Sequence, residues 1–259
     1  EYRVRITHFI RYAEIHGINR NSYLDYKRYL AGIDTFSVST KNKYLIAAKI
    51  FLDGLHRLNL IPQKITDHVR RFTQSQLHRK EGLQDADIGK LQRYCSDLPP
   101  TPQNLRLRAL VALFLFQGLR QIEVVRLNVG DIDLRNKTAF IRGKGRDDKE
   151  PIHLHPSTVR VLWEYLNCYR FRSGALFRSN SNHCRGDRLT TKSVREIIKR
   201  VFAKLEIDGS VHGFRHFFIT KLIKSYKGEL LMVSKYSRHR SIQMLEVYND
   251  EIIRERDLP

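Results

Sequence analysis

The chain lacks what a membrane protein needs. Its longest purely apolar run is Ala109 to Phe116, far short of the ~20 residues of a membrane-spanning helix. No signal peptide is visible at its start. It begins at Glu1 without a methionine, inside an expected helix, as a trimmed segment would. It has only three cysteines, Cys95, Cys168 and Cys184, and no Cys-x-x-Cys pair. His183-Cys184 has no partner pair nearby, so thiols in a reducing compartment are expected, not a metal site. The cytoplasm is therefore the expected location. No internal repeat or low-complexity segment is present. An aromatic-rich sheet motif for stacking unpaired bases is also missing, which argues against an RNA-binding module.

Acidic residues are in deficit. The chain of 259 residues holds 47 Lys and Arg against 27 Asp and Glu, a formal net charge of +20. The excess is not a tail: residues 1–82 carry 15 against 7 (+8), and the remainder 32 against 20 (+12). Basic character in both parts points to a polyanionic partner, set against the plainer reading of charge kept for solubility. The length suits one large or two modest domains. Hydrophobic residues make up 41%, enough for ordinary cores.

Residues 1–72 read as helices. Tyr2, Ile6, Phe9, Ile10 and Ala13 recur at helical spacing, and Gly17 is a stop. Asn21 or Ser22 is placed to cap a second helix through Tyr23, Tyr26 and Leu30. Ser39 and Thr40 are placed to cap a third, carrying Tyr44, Leu45, Ala48, Phe51, Leu52 and Leu55. Its opposite face is assigned Lys41, Lys43 and Lys49. That face is either simply solvated or turned to a DNA backbone. A short fourth helix is expected over Asp67 to Phe72. Residues 73–82 carry no apolar stripe, include Arg79 and Lys80, and end in Gly82. They read as a linker whose charge suits a DNA backbone.

The second domain, 83–259, is expected to be mixed but mostly helical. Asp85 is placed to cap a helix through Tyr94. A helix from about Asn104 to Gln117 is apolar nearly all round from Ala109 to Phe116, as a buried central helix is. Gly118 ends it, and Arg120 opens a short helix, Gln121 to Leu127. Lys137 to Arg142 and Glu150 to Leu154 flank the basic turn Gly143-Lys144-Gly145-Arg146, which predicts a hairpin. Helices resume at Pro156 to Tyr169, from Thr190 or Thr191 to Phe202, and from His212 with breaks near Gly228, Ser237 and Asn249.

A chemical constellation lies toward the C-terminus. His212 and Arg215, three residues apart, share one helix face. A guanidinium fork suits two oxygens of one phosphate. Two arginines and a histidine aimed at a phosphorane would act by preorganised electrostatics. Taken alone, His-x-x-Arg is equally a structural pair. Tyr248 is one of 12 tyrosines, and a phenol with a pKa of about 10 is a poor nucleophile without a cationic field. It is either that nucleophile or a partly buried aromatic. His239 and Tyr248 are nine residues apart, about two and a half helical turns, so they meet only if the chain bends, for which Arg240-Ser241 is placed. Tyr236 competes as nucleophile but fits a buried helix position better. Lys144 is either an ordinary hairpin lysine or a general acid, with Lys149 next in line.

Four motifs occur in order: Gly118-Leu119-Arg120-x-x-Glu123, Gly143-Lys144-Gly145-Arg146, His212-x-x-Arg215-His216, and His239 with Tyr248 nine later. Together they resemble the tyrosine recombinase family, which includes phage integrases and Xer resolvases. The resemblance spans 83–259, and region 1–72 is similar to the family's core-binding domain. It implies that Tyr248 forms a 3′-phosphotyrosyl bond with no metal or nucleotide cofactor. It implies that Arg120 and Arg215 clamp the phosphate, that Lys144 is the general acid, and that His212 and His239 bond the phosphate or assist proton transfer. Glu123 would orient the pocket. Lys41, Lys43, Lys49, Arg79, Lys80 and Arg146 would contact DNA. The implied partner is a double-stranded recombination site, bound by a homo-tetramer on two sites with a dimer on each, in the nucleoid.

Three departures mark a divergent member. Ser237-Arg238 stands where the family commonly has Leu-Gly before the last histidine. Met244 and Leu245 occupy the region where a threonine is usual. The hairpin continues with Asp147 and Pro151-Ile152, which leaves the register of the second strand open. The expected architecture is mainly α: a two-domain C-shaped clamp with an all-helical N-terminal core-binding domain. Its catalytic domain is mostly helical with a small antiparallel sheet. A type IB topoisomerase-like nicking and resealing enzyme is the rival within the same chemistry. A helical DNA-binding regulator is the rival outside it, and it has no reason to keep the full Arg, Lys, His, Arg, His, Tyr set.

Overall fold

Aromatic and aliphatic residues at helical spacing build the first region around one small core. A computed structural model describes residues 2–73, 82–143, 147–170, 172–180, 186–239, 241–246, 248, 249 and 252. The chain divides into two compact units, Glu1–Leu77 and His78–Pro259. In the first, α1 (Tyr2–His16), α2 (Ser22–Ala31) and α3 (Val38–Arg57) enclose Phe9, Tyr23, Tyr26, Leu30, Leu45, Ala48 and Leu52. Gly17 ends α1 with φ +71°, a conformation that costs glycine little. The third helix starts earlier than its sequence suggests. Ser37 Oγ accepts from the Thr40 amide at 3.2 Å, so Ser37 is the cap, and Ser39 and Thr40 lie inside the helix.

Two expectations fail in this unit. No helix forms over 67–72; a turn at 65–68 gives way to irregular chain. The reason is competition for backbone bonds from a side chain thirty residues away. The Asn42 side chain donates to Phe72 O at 3.0 Å and accepts from Phe72 N at 2.9 Å, and the second bond replaces the one a helix would give that N–H. Nor do the three lysines of α3 share a face. At 100° per residue, Lys41 and Lys43 point about 160° apart. Lys41 Nζ instead donates to Ala31 O at 2.8 Å, at the C-terminus of α2, where a cation is favoured.

The second unit contains α4 (Asp85–Asp97), α5 (Pro102–Gln117), α6 (Gln121–Arg126), α7 (Pro156–Tyr169), α8 (Thr191–Lys204), α9 (Val211–Ser225) and α10 (Leu230–Ser237). As expected, α5 is buried nearly all round, and it packs on both α7 and α9. The Thr101 hydroxyl caps it, accepting from Asn104 N at 3.3 Å. The sheet has three antiparallel strands in the order β1 (Ile132–Asp133), β2 (Thr138–Arg142), β3 (Lys149–His153). The sequence does not signal β1, which has two residues, too few for a periodic pattern. The register opposes Phe140 to Pro151 and Ile141 to Glu150. Pro151 has no N–H to give, and β3 tolerates it because it lies at the sheet edge.

Past α10 the chain turns sharply. Arg238 adopts the left-handed conformation, φ +57°, and caps the helix. The bend thus comes two residues before the expected Arg240-Ser241. Helical backbone returns at 243–246. A separate apolar cluster of Ile219, Ile223, Val233, Leu245 and Tyr248 holds this end of the chain on α9 and α10.

Gly118 decides how α5 hands over to α6. Its φ is +56°, and a Cβ there would lie 2.2 Å from Phe218 Cδ1 on α9. Gly118→Ala should therefore destabilise the second unit by about 2–4 kcal/mol, through backbone strain and overpacking together. Urea unfolding would check this; a loss under about 0.5 kcal/mol would contradict the packing described.

Candidate active site

The left-handed turn at Gly118 buries Leu119 and leaves Arg120 as the residue just ahead of α6. Three residues on, Glu123 is 1% exposed. Its carboxylate accepts from Arg120 N at 2.8 Å, from Arg120 Nη1 at 2.9 Å and from Arg238 Nη2 at 3.0 Å. Glu123 thus caps its own helix and fixes two guanidinium groups, while the Arg120 side chain stays partly exposed.

Arg215, on α9, is 2% exposed. Its Nη1 donates to Gly118 O and its Nη2 to Ser237 O, both at 2.6 Å, and Nη2 also lies 3.4 Å from His239 Nε2. These described bonds go to two carbonyls and an imidazole, none to a carboxylate. Burial first, then the charges of Arg120 and Arg238, lower its pKa to about 9, so it stays cationic at neutral pH. A desolvated cation beside two others is expensive, and the Glu123 carboxylate offsets part of that cost.

The His239 Nδ1 lies 2.7 Å from Ser237 Oγ. With Arg215 facing Nε2 as a donor, the proton of the neutral ring is assigned to Nδ1, leaving Nε2 as the acceptor. The His239 backbone is pinned as well: its N donates to Ser234 O at 3.2 Å, and its O accepts from Ser234 Oγ at 3.0 Å. The structure therefore holds Arg120 on Glu123 and His239 against Arg215, close enough that the charges of Arg120 and Glu123 act on Arg215. His212 is exposed at the start of α9. Its ring centroid lies 4.8 Å from that of His216, which lies 5.0 Å from Tyr248. Tyr248 is 7% exposed, packed in the apolar cluster between α9 and α10.

Tyr236 departs from expectation. It is 51% exposed and stacks on Tyr226 with centroids 5.5 Å apart. A short α10 turns this residue outward, which three-residue spacing from His239 does not reveal. Lys149, the alternative acid, is held by the Asp131 carboxylate. Lys144, Arg146, Arg79 and Lys80 lie outside the described residues. Arg126, which sequence reasoning passed over, anchors the hairpin base by donating to Gly143 O at 3.2 Å. Arg238 and Ser237 were also missed as site residues, although their departure from the Leu-Gly pattern marked them. Among the described residues, no group of three or more His, Cys, Asp or Glu side chains could hold a metal ion. Among them, too, no helix is long and apolar enough to cross a membrane.

The family model for the phage integrase family matches residues 82–253. The chain belongs to that family. It is a tyrosine-type site-specific recombinase by this membership, in line with its relatives. Tyrosine recombinase XerC of Lactobacillus delbrueckii subsp. bulgaricus is 25% identical over 217 residues, 81% of this chain and 71% of that protein. Two solved structures share the fold. The Tn1549 transposon integrase in complex with transposon right end DNA superposes with a TM-score of 0.73 at 14% identity, covering 95% of this chain and 87% of that one. The XerH site-specific recombinase bound to a palindromic difH substrate gives 0.71 at 20% identity, covering 91% and 69%.

The charge around His239 predicts an acid-sensitive recombinase. Burial, followed by the charges of Arg215 and Arg120, lowers the His239 pKa to about 4. The unfolded value is ~6.5. Between the two, the unfolded chain binds more protons, so stability falls as pH drops from about 6.5 toward 4. His239→Gln removes this titration. The stability difference between wild type and variant in urea titrations should shrink across that window; a difference independent of pH would contradict the buried neutral imidazole.

Proposed function

We propose that this recombinase cleaves and rejoins duplex DNA through a 3′-phosphotyrosyl intermediate on Tyr248. The observation that carries the reading is the buried Arg215 cation, gathered with Arg120 and His239 and bonded to no carboxylate in the described structure. A DNA phosphate is the anion that such a group would receive. Family membership supports it, as do fold neighbours whose structures contain recombination DNA.

In this reading the Tyr248 oxygen attacks the scissile phosphorus, and the bond to the 5′ oxygen breaks. The phenol proton leaves through the histidine group, and Lys144 supplies the proton that completes the 5′ hydroxyl. Rejoining reverses both transfers. Arg120 and Arg215 stabilise the charge that grows on the phosphorane, which often contributes most to catalysis. His212 bonds a phosphate oxygen, His239, whose Nε2 is an acceptor, assists proton transfer, and Glu123 orients Arg120. Side-chain cations fill the role that a metal would have, so neither metal nor nucleotide enters the reaction.

Residues 1–72 are proposed as the core-binding domain, 73–82 as the linker and 83–259 as the catalytic domain. Lys43, Lys49, Arg79, Lys80 and Arg146 are proposed as backbone contacts. Lys41 keeps that role only if it exchanges its bond to Ala31 O for a phosphate. Two sites joined by four protomers, a dimer on each, would complete the exchange in the cytoplasm, at the nucleoid.

A nicked suicide substrate tests the chemistry directly. In EDTA, the wild-type protein should form a covalent adduct whose peptide map ends at Tyr248. Tyr248→Phe loses one oxygen, and that variant should fold and bind DNA but form no adduct. Tyr236→Phe should keep it. An adduct on Tyr248→Phe, or one that needs added magnesium, would overturn the mechanism.

Charge gives a second test. If roughly six to ten phosphates are neutralised, affinity should drop by about 10³ to 10⁵ between about 50 and 200 mM salt. A nearly flat plot of log affinity against log salt would contradict the proposal that both domains contact the duplex.

A further inference from the structure

Arg238 carries more contacts than a helix cap requires. An L side chain is disfavoured at φ +57°, where glycine sits freely. Yet this arginine holds the position, and its side chain is only 9% exposed. Its Nη2 donates to Glu123 Oε2 at 3.0 Å. Its Nε lies 3.4 Å from Glu150 Oε1 on β3, an ion pair without the alignment of a hydrogen bond. One guanidinium therefore touches the carboxylate that fixes Arg120 and a carboxylate of the sheet edge. Its backbone is joined to His239, whose ring faces Arg215.

From these contacts we infer that Arg238 is a positioning residue for the recombination chemistry, tying β3 to the Arg120–Glu123 pair and to His239. It does so without reaching the phosphate itself. Two features favour this over a plain structural role. A backbone that needs only a left-handed cap is better served by glycine. A third cation beside Arg215 and Arg120 also adds repulsion, a cost that a helix cap alone would not require. Lysine would not reproduce it, because one ammonium on a flexible stem lacks the rigid fork that reaches Glu123 and Glu150 at once. This inference rests on the proposed phosphotyrosyl chemistry.

The test compares Arg238→Gly, Glu150→Gln and the double variant in single-turnover cleavage of the nicked substrate, with DNA affinity and thermal melting measured alongside. Arg238→Gly suits the cap, so its melting temperature should be kept within a few degrees. Its cleavage rate should fall about 10-fold or more while affinity changes less than about 3-fold. Glu150→Gln should slow cleavage as well. The double variant should be no slower than the slower single one, because both changes cut the same tie. Arg238→Lys should stay close to Arg238→Gly. Multiplying defects, rescue by lysine, an unchanged rate, or loss of affinity in step with rate would each overturn the inference while the phosphotyrosyl reading stands. Absence of an adduct from the wild-type protein would overturn that reading, and the inference with it.

Discussion

A buried guanidinium without a carboxylate partner is the constraint around which the second unit is built. Arg215 is drawn inside by α9, and its bonds then dictate where three other pieces of chain lie. Gly118 O, Ser237 O and the His239 ring all have to face it. Those pieces come from the end of α5, the end of α10 and the turn beyond it. Each carries, or immediately precedes, a residue of the candidate site. Leaving such a cation unsatisfied would cost several kcal/mol, so the geometry around it has little freedom.

Glu123 plays the opposite part in the same balance. It is the buried carboxylate among Arg120, Arg215 and Arg238, and it spends its oxygens on the first and third. The described bonds of Arg215 go to two carbonyls and an imidazole instead. The same field explains why His239 is neutral. Burial and surrounding cations oppose its protonation, and the Ser237 hydroxyl fixes the ring's orientation. Tyr248 lies at the edge of this field, packed on α9 and α10 beside His216. The turn at Arg238 brings the tyrosine segment back across these helices, so its placement depends on the same residue that meets Glu123 and Glu150.

Much of this was legible in the order of residues. The all-round apolar stretch of α5 announces a central helix, and α7 runs from Pro156 to Tyr169 as its sequence predicts. The motifs around Arg120, Arg215 and His239 marked side chains that the fold does bring together. What escaped had physical causes. The segment 67–72 looked helical, but Asn42, thirty residues away, takes the backbone bonds of Phe72. Strand β1 is too short to show a period. Tyr236 looked buried because its spacing said nothing of which side of a short α10 faces solvent. The bond of Lys41 to Ala31 O escaped because that carbonyl belongs to another helix.

The sequence by itself determined the family, the mainly helical composition, the basic character and the residue types of the candidate site. Periodicity, capping residues and motif order are local properties, and they can be read along one dimension. Only the tertiary structure decided how the charges are shared: Glu123 between two arginines, Arg215 among carbonyls and an imidazole, Lys149 on Asp131. Only it revealed Arg238 as the link between sheet edge and pocket. Electrostatic partnership depends on distance and burial, and neither is set until segments far apart in the chain have packed.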